Sequence, residues 1–305
     1  MIASKPGDIV DVIAPSGKFS IERIKPVKEF IESLGLIPRI HENIITDEHF
    51  YFANNDEFRA NELIKALTNP DSSVVWCMRG GYGAARLIPY LEQVIPPEIQ
   101  KIFIGFSDIT AIHTFLNQQW GWQTIHGPVL LQMAENRVDE ESKQEILDII
   151  KGEIKQQTFN LLPLNKQAEE AKHISGKLCG GNATVIKSSI GTSWEIQTEN
   201  KILLLEEIGE AAYSVDRSLT HLLQANIINN QTKALLIGDY LGNAAEQENI
   251  NYVVNNFAHI APCPVFRTHG IGHGEENHSI MLNAESEIIK NVDDFIFINN
   301  LDYIN

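Results

Sequence analysis

Ser73-Val-Val-Trp-Cys-Met78 runs directly into Arg79-Gly-Gly-Tyr-Gly83, continues through Ala84 to Leu91, and is followed by Lys101-Ile-Phe-Ile-Gly105. The first and last stretches are short apolar runs bounded by turn residues, the length and composition of buried strands. Ala84 to Leu91 reads as a helix between them. Strand, glycine turn, helix, strand is the repeating unit of a parallel sheet whose crossovers are helices.

The same pattern extends upstream. Asp8-Ile-Val-Asp-Val-Ile-Ala-Pro-Ser-Gly17 reads as a strand that stops at a Pro/Gly turn. Ile24, Val27, Ile31 and Leu34 recur at helical spacing and end at Gly35, with Pro26 either in the first turn or kinking the helix. Phe58, Leu63, Ile64 and Leu67 mark a second helical face before Asn69-Pro70-Asp71 interrupts. Downstream, the pattern loosens between Gln156 and His173 into polar residues around Leu162-Pro163-Leu164. Beyond it, Ile202-Leu-Leu-Leu205, Ala234-Leu-Leu-Ile237 and Ile280-Met-Leu282 look like strands with fewer long helices between them. The sequence therefore predicts an α/β protein: an N-terminal parallel-sheet, Rossmann-like domain over residues 1–160, a linker over 161–174, and a strand-rich α+β domain over 175–305.

Composition narrows the function classes. With 305 residues, 43% of them hydrophobic and 21% charged, the chain can bury a sizeable core or two. Its formal charge of −16, from 24 basic and 40 acidic residues, argues against nucleic acid or an anionic membrane as partner. The opening Met1-Ile-Ala-Ser-Lys-Pro-Gly-Asp8 lacks the apolar stretch of an export signal, and no run approaches the ~18 apolar residues of a spanning helix. Cys77, Cys179 and Cys263 are far apart and form no CxxC pair, which fits small buried side chains in a reducing cytosol better than a disulfide framework or a zinc site. A soluble, cytoplasmic protein is expected.

Four places could carry chemistry. Ser107, in Gly105-Phe-Ser-Asp-Ile109, lies between a predicted strand and a helix beginning near Ile109, the setting of a nucleophile elbow. Ile109 replaces the second glycine of that signature, and on local sequence alone a helix cap at Ser107 or Asp108 is the simpler account. The Arg79-Gly-Gly-Tyr-Gly83 loop could cradle a phosphate, although it is neither GxxxxGK[ST] nor a full GxGxxG; it could instead donate an N–H to a tetrahedral intermediate, or be a plain tight turn. His273, in Thr268-His-Gly-Ile-Gly-His-Gly274, is a candidate base with His269 and His278 as rivals, while His113 and His126 follow Ser107 closely enough to be local helix or loop residues. Glu206 and Glu207 end the Ile202–Leu205 run, where alternation sends them to opposite sides and leaves at most one facing a site; a solvated strand end is an equal alternative.

Taken together these blocks resemble the LD-carboxypeptidase family, which includes the peptidases of microcin C immunity. The resemblance is carried by Val12-Ile-Ala-Pro-Ser-Gly17, Phe52-Ala-Asn-Asn-Asp56, Trp76 through Leu87, Ile104 through His113, His126-Gly-Pro128, Gly176-Lys-Leu-Cys-Gly-Gly-Asn182, Leu205-Glu-Glu-Ile-Gly-Glu210 with Tyr213 and Asp216-Arg217, and Gly272-His-Gly274, in the family's order.

The resemblance implies Ser107 as nucleophile, Glu206 and His273 as its partners, and an oxyanion hole of backbone amides at Asp108 and Gly81. It implies an N-terminal domain carrying the serine, a second carrying the glutamate and histidine, a triad closing across the cleft, and a homodimer. Neither metal nor cofactor is required. The implied substrate is a murein tetrapeptide cleaved before its terminal D-alanine, whose carboxylate needs a cation; Arg79 is a candidate, with Tyr82 beside it. Within the family the alternative is a microcin-immunity peptidase acting on peptidyl or aminoacyl nucleotides, for which Trp194 could stack an adenine or else pack in a core. From another class, a non-catalytic nucleotide- or sugar-binding protein would use the glycine loop for phosphate.

Overall fold

A computed structural model of the chain describes residues 3–292 and 294–301. Met1 and Ile2, and residues 302–305 of the expected second domain, lie outside the described residues. The chain divides into two compact units, the first ending at Lys155 and the second spanning Gln156–Leu301.

In the first unit, β1 (Ile9–Ile13), α1 (Ile24–Ser33), β2 (Ile37–Ile40), α2 (Asp56–Thr68), β3 (Ser72–Cys77), α3 (Ile88–Leu91), β4 (Ile102–Gly105), α4 (Thr110–Gln119), β5 (Thr124–His126), α5 (Leu130–Ala134) and α6 (Glu140–Ile150) follow in order. The strands lie side by side as β5-β4-β3-β1-β2, every pair parallel. Strands such as β3 and β4 are buried on both faces, which is why they read as unbroken apolar runs. Strand order reverses between β1 and β3, so the loops after β1, β3 and β4 gather at a topological switch point, the usual place for a site in such sheets.

The predicted helices form with local adjustments. Pro26 sits in the first turn of α1, where its missing N–H goes unused, and the chain leaves the helix at Gly35 with φ +74°. The Asn55 side chain accepts the Phe58 N–H at 2.8 Å and caps α2, which buries Leu63 and Leu67 and leaves Phe58 and Ile64 half-buried. The helix expected from Ala84 to Leu91 is a 3-10 turn over Ala84–Leu87 followed by the short α3, with Pro89 in the first turn of α3.

The second unit contains β6 (Gln156–Pro163), α7 (Lys166–Glu170), β7 (His173–Asn182), α8 (Ala183–Ser188), β8 (Ile202–Ile208), α9 (Ala212–Gln224), β9 (Ala234–Leu241), α10 (Gln247–Ile260), β10 (Val265–Arg267), β11 (Ile280–Leu282), β12 (Glu285–Lys290) and β13 (Phe295–Asn300). Seven strands close a barrel in the order β10-β6-β13-β12-β7-β8-β9. Alternation along β8 feeds two cores. Ile202 and Leu204 pack with Phe266, Phe295 and Phe297, whereas Leu203 and Leu205 pack with Leu219 of α9 and Val254 of α10. That double burial makes Ile202–Leu205 apolar throughout.

Two expectations about this unit need correction. Residues 161–174 are the end of β6, α7 and the start of β7, so they belong to the barrel and do not link domains; the units divide at Lys155, not at 160. The inward side of β6 is Gln157, Phe159 and Leu161, alternating with exposed polar residues, a pattern that reads as loop in sequence. Nor is the unit poor in long helices, since α9 and α10 have 13 and 14 residues.

Candidate active site

In the first unit a cluster of candidate residues grows from the end of β4. Ser107 has φ +62°, a left-handed conformation unusual for a residue with a side chain, and opens a 3-10 turn that feeds α4. Such a backbone costs on the order of 1–3 kcal/mol and persists where packing enforces it. One support is His113 of α4, buried and hydrogen-bonded through Nε2 to the Gly105 carbonyl at 2.8 Å; burial pushes it down to about 4, so it is neutral and structural. His126 is likewise buried, on β5.

The glycine loop lies against the serine. A Cβ on Gly80 would stand 2.9 Å from Ser107 Cβ and 3.2 Å from its Oγ, so only glycine permits this approach. The Gly80 carbonyl accepts the Gly17 N–H at 3.2 Å, and Gly81 packs on Gly17 in turn. The Asp108 carboxylate accepts Ser16 Oγ at 2.6 Å and the Ala84 N–H at 2.8 Å, tying the loops after β1 and β3 to the elbow. Burial raises its pKa, against the pull of those two bonds. Because the carboxylate is committed to these partners, the backbone N–H is the group Asp108 has to offer a ligand.

Arg79 is half-buried and donates from Nη1 to the Lys18 carbonyl at 2.7 Å. Burial lowers its pKa, helped by Arg23 and Arg137 nearby, and among the described residues no carboxylate stands at ion-pair distance from it. Arg23 and Arg137 share Glu135 instead. Tyr82 is exposed.

A second cluster of candidate residues lies in the barrel unit. His273 Nδ1 donates to Glu206 Oε2 at 2.6 Å, and Glu206 is fully buried. A carboxylate only accepts, so the shared proton resides on Nδ1 and the lone pair of a neutral imidazole on Nε2, the tautomer a general base needs. Gly272, with φ +144°, brings the loop close; a Cβ there would stand 3.1 Å from Glu206 Oε2. Of the rivals, His269 is exposed and 3.9 Å from Asp239 Oδ1, and the His278 ring lies against Gly270.

The register of β8 against β9 shifts between Leu205 and Glu207, and both glutamates are buried, so neither is a solvated strand end. Glu207 accepts from Asn182 Nδ2 at 3.1 Å and from the Thr184 and Ile208 N–H groups at 2.9 and 3.0 Å, which makes it the anchor for the start of α8. Asp239 was missed in the sequence. It follows the apolar Ala234–Gly238 run as Glu206 follows Ile202–Leu205, lies against Gly272 and Gly274, and has its pKa raised by burial. Trp194 is only 5% exposed, so it is a packed residue and not a stacking platform.

A strained serine on a strand-to-helix turn, and an imidazole held in one tautomer by a buried carboxylate, are the parts from which serine hydrolases are built. The models for the LD-carboxypeptidase N-terminal and C-terminal domains match residues 10–127 and 175–288, and the chain belongs to the LD-carboxypeptidase family. A putative carboxypeptidase of Rickettsia conorii is 42% identical over 79% of this chain and 75% of that one. The murein tetrapeptide carboxypeptidase of Pseudomonas aeruginosa is 26% identical over 88% of this chain and 89% of its own length. A crystal structure of an MccF-like protein from Bacillus anthracis shares the fold, with a TM-score of 0.81 at 20% identity, covering 98% of this chain and 99% of that one.

Proposed function

We propose that this chain is a serine carboxypeptidase that releases the terminal D-alanine from murein tetrapeptides by cleaving the L,D-amide bond. The reading rests on family membership and on the relative that is named for that substrate. The single observation that carries it is the 2.6 Å bond from His273 to the fully buried Glu206.

In the mechanism, Ser107 Oγ attacks the amide carbonyl as His273 Nε2 takes its proton, while Glu206 stabilises the imidazolium. The N–H groups of Asp108 and Gly81 receive the oxyanion, and His273 returns the proton to the departing amine. Water, deprotonated by the same imidazole, then clears the acyl-enzyme. Arg79 takes the terminal carboxylate, with Tyr82 alongside. The enzyme works as a cytoplasmic homodimer, a compartment consistent with its three free, buried cysteines. No helix among the described residues is long and apolar enough to cross a membrane.

Mass spectrometry of products from defined muropeptides tests this. The wild-type chain should yield tripeptide and free D-alanine, and Ser107→Ala should fold and yield none. Near-normal turnover by that variant would refute the assignment.

A further inference from the structure

The neighbouring parallel strands β8 and β9 slip register once, at the carboxylate that holds His273. Leu205 pairs with Ile237 and Glu207 with Tyr240, so Gly238 and Asp239 together oppose Glu206. Ile237 and Tyr240 are three residues apart, yet both pack in the core beneath α9 and α10. Simple alternation would send Asp239 to the same side as Ile237. The bulge turns it away instead, toward the loop that carries His273.

Asp239 meets that loop at four points. Its N–H donates to the Ile271 carbonyl at 2.9 Å, and its carboxylate accepts the Gly270 N–H. A Cβ on Gly272 would stand 3.3 Å from Asp239 Cβ, and one on Gly274 3.6 Å from its Oδ2. Gly272 and Gly274 flank His273 directly. The preceding Gly238 makes the approach possible, since a Cβ there would stand 2.7 Å from the Ile271 carbonyl oxygen.

The loop needs such a tie. No helix or strand covers residues 268–279, between β10 and β11. Gly270 and Gly272 hold φ of +72° and +144°, and glycine backbone has the widest freedom to leave its folded conformation. The Thr268 N–H bonds to the Ile237 carbonyl at the root of the loop, and the His278 N–H to the Gly270 carbonyl on its return. Among the charged groups around Asp239, His269 is exposed with Nδ1 3.9 Å from Oδ1, beyond hydrogen-bond reach. Burial, with the Glu276 and Glu206 carboxylates, raises the Asp239 pKa, while the Gly270 bond and His269 pull it down.

We infer that Asp239 is a positioning residue for His273: it clasps the glycine loop at Gly270 and Ile271 and so sets the height at which the imidazole meets Glu206. The inference deepens the reading of His273 as general base and rests on it. Two adjacent strand ends then share the work, Glu206 fixing the ring and Asp239 the backbone that carries it.

The test follows the Nδ1 proton of His273 by NMR in histidine-labelled chain, assigned by its loss in His273→Ala, alongside kcat and KM for D-alanine release. Asp239→Ala should lose that signal to exchange with water and lower kcat by about 10²-fold at nearly constant KM, the cost of a reacting group displaced by ~1 Å. Asp239→Asn keeps an acceptor for the Gly270 N–H, so it should retain the signal and stay within about tenfold of wild-type kcat, the factor between a charged and a neutral bond. An alanine variant with wild-type kcat and signal would overturn the inference, as would an asparagine variant no better than alanine. In the wild-type chain the Gly270 amide should exchange slowly with D2O, and fast exchange would overturn the inference whether or not any variant folds. Failure of wild type to cleave the tetrapeptide, with the proton signal still lost in Asp239→Ala and kept in Asp239→Asn, would sink the murein reading and leave this one standing.

Discussion

His273 Nδ1 and Glu206 Oε2 are 2.6 Å apart, with the carboxylate wholly inside the barrel unit. A buried acceptor that can only accept fixes which nitrogen of the ring carries the proton. Glu206→Gln can present an N–H to the ring and favour the opposite tautomer. It is expected to lower kcat by about 10³–10⁴-fold with little change in KM, as loss of the orienting acid does in serine peptidases generally. Steady-state kinetics on the tetrapeptide decide this, and a loss under tenfold would remove Glu206 from its role.

The neighbouring carboxylate should behave differently. Glu207 holds two hydrogen bonds at the start of α8 and one at the end of β8, so Glu207→Ala strands one buried and two partly buried donors. Its expected cost is about 2–3 kcal/mol of unfolding free energy in urea, with kcat changed far less than by Glu206→Gln.

Gly80→Ala tests the contact beneath the nucleophile. The added methyl would stand 2.9 Å from Ser107 Cβ, so the elbow or the loop must move. Displacement of a reacting group by about 1 Å is worth roughly 10²-fold in rate, and kcat should fall by at least that much. Thermal melting of the same variant separates a displaced nucleophile from a failed fold.

Below the sheet, Lys101 is buried, donates to the Ala66 carbonyl at 2.6 Å and to Ser72 Oγ, and lies 3.8 Å from Asp11. Burial lowers its pKa from 10.5 to about 8, against the pull of Asp11. With the folded value below the unfolded one, the unfolded chain binds the proton first as pH falls. The contribution of Lys101 to stability is therefore greatest above pH ~10.5 and is lost as pH drops through about 8. Urea titrations from pH 7.5 to 10.5 should show wild type gaining on Lys101→Met by on the order of 2–3 kcal/mol; parallel curves would contradict this.

How much of this was legible in sequence follows from where the information lies. β3 and β4 could be read because both faces are buried, whereas Ser107 could not be separated from a helix cap on local sequence, because the left-handed turn that distinguishes it is a feature of the folded backbone. β6 could not be read, since three inward residues alternating with exposed polar ones carry little signal, and a linker was expected there. The choice between Glu206 and Glu207 was beyond local alternation: a register shift against β9, a non-local feature, left both buried with separate duties. His273 is distinguished from His269 and His278 by how closely Gly272 approaches Glu206, which is again tertiary. Asp239 carries the same local signal as Glu206, a carboxylate closing an apolar run, and only its approach to Gly272 in the folded chain sets it beside the histidine loop.

Arg79 allows a test of substrate polarity. Its guanidinium lacks a carboxylate partner among the described residues, is half-buried, and precedes the glycine that touches Ser107. A planar guanidinium can hold a terminal carboxylate through two parallel bonds, which neither lysine nor glutamine reproduces. Arg79→Gln should therefore raise KM for the tetrapeptide by about 10–100-fold, with Arg79→Lys intermediate. Amidating the terminal carboxylate should weaken wild type by a similar factor yet add little to the loss in Arg79→Gln, because the two changes remove the same interaction. Full additivity of the two losses would place the carboxylate elsewhere and leave Arg79 only its bond to Lys18.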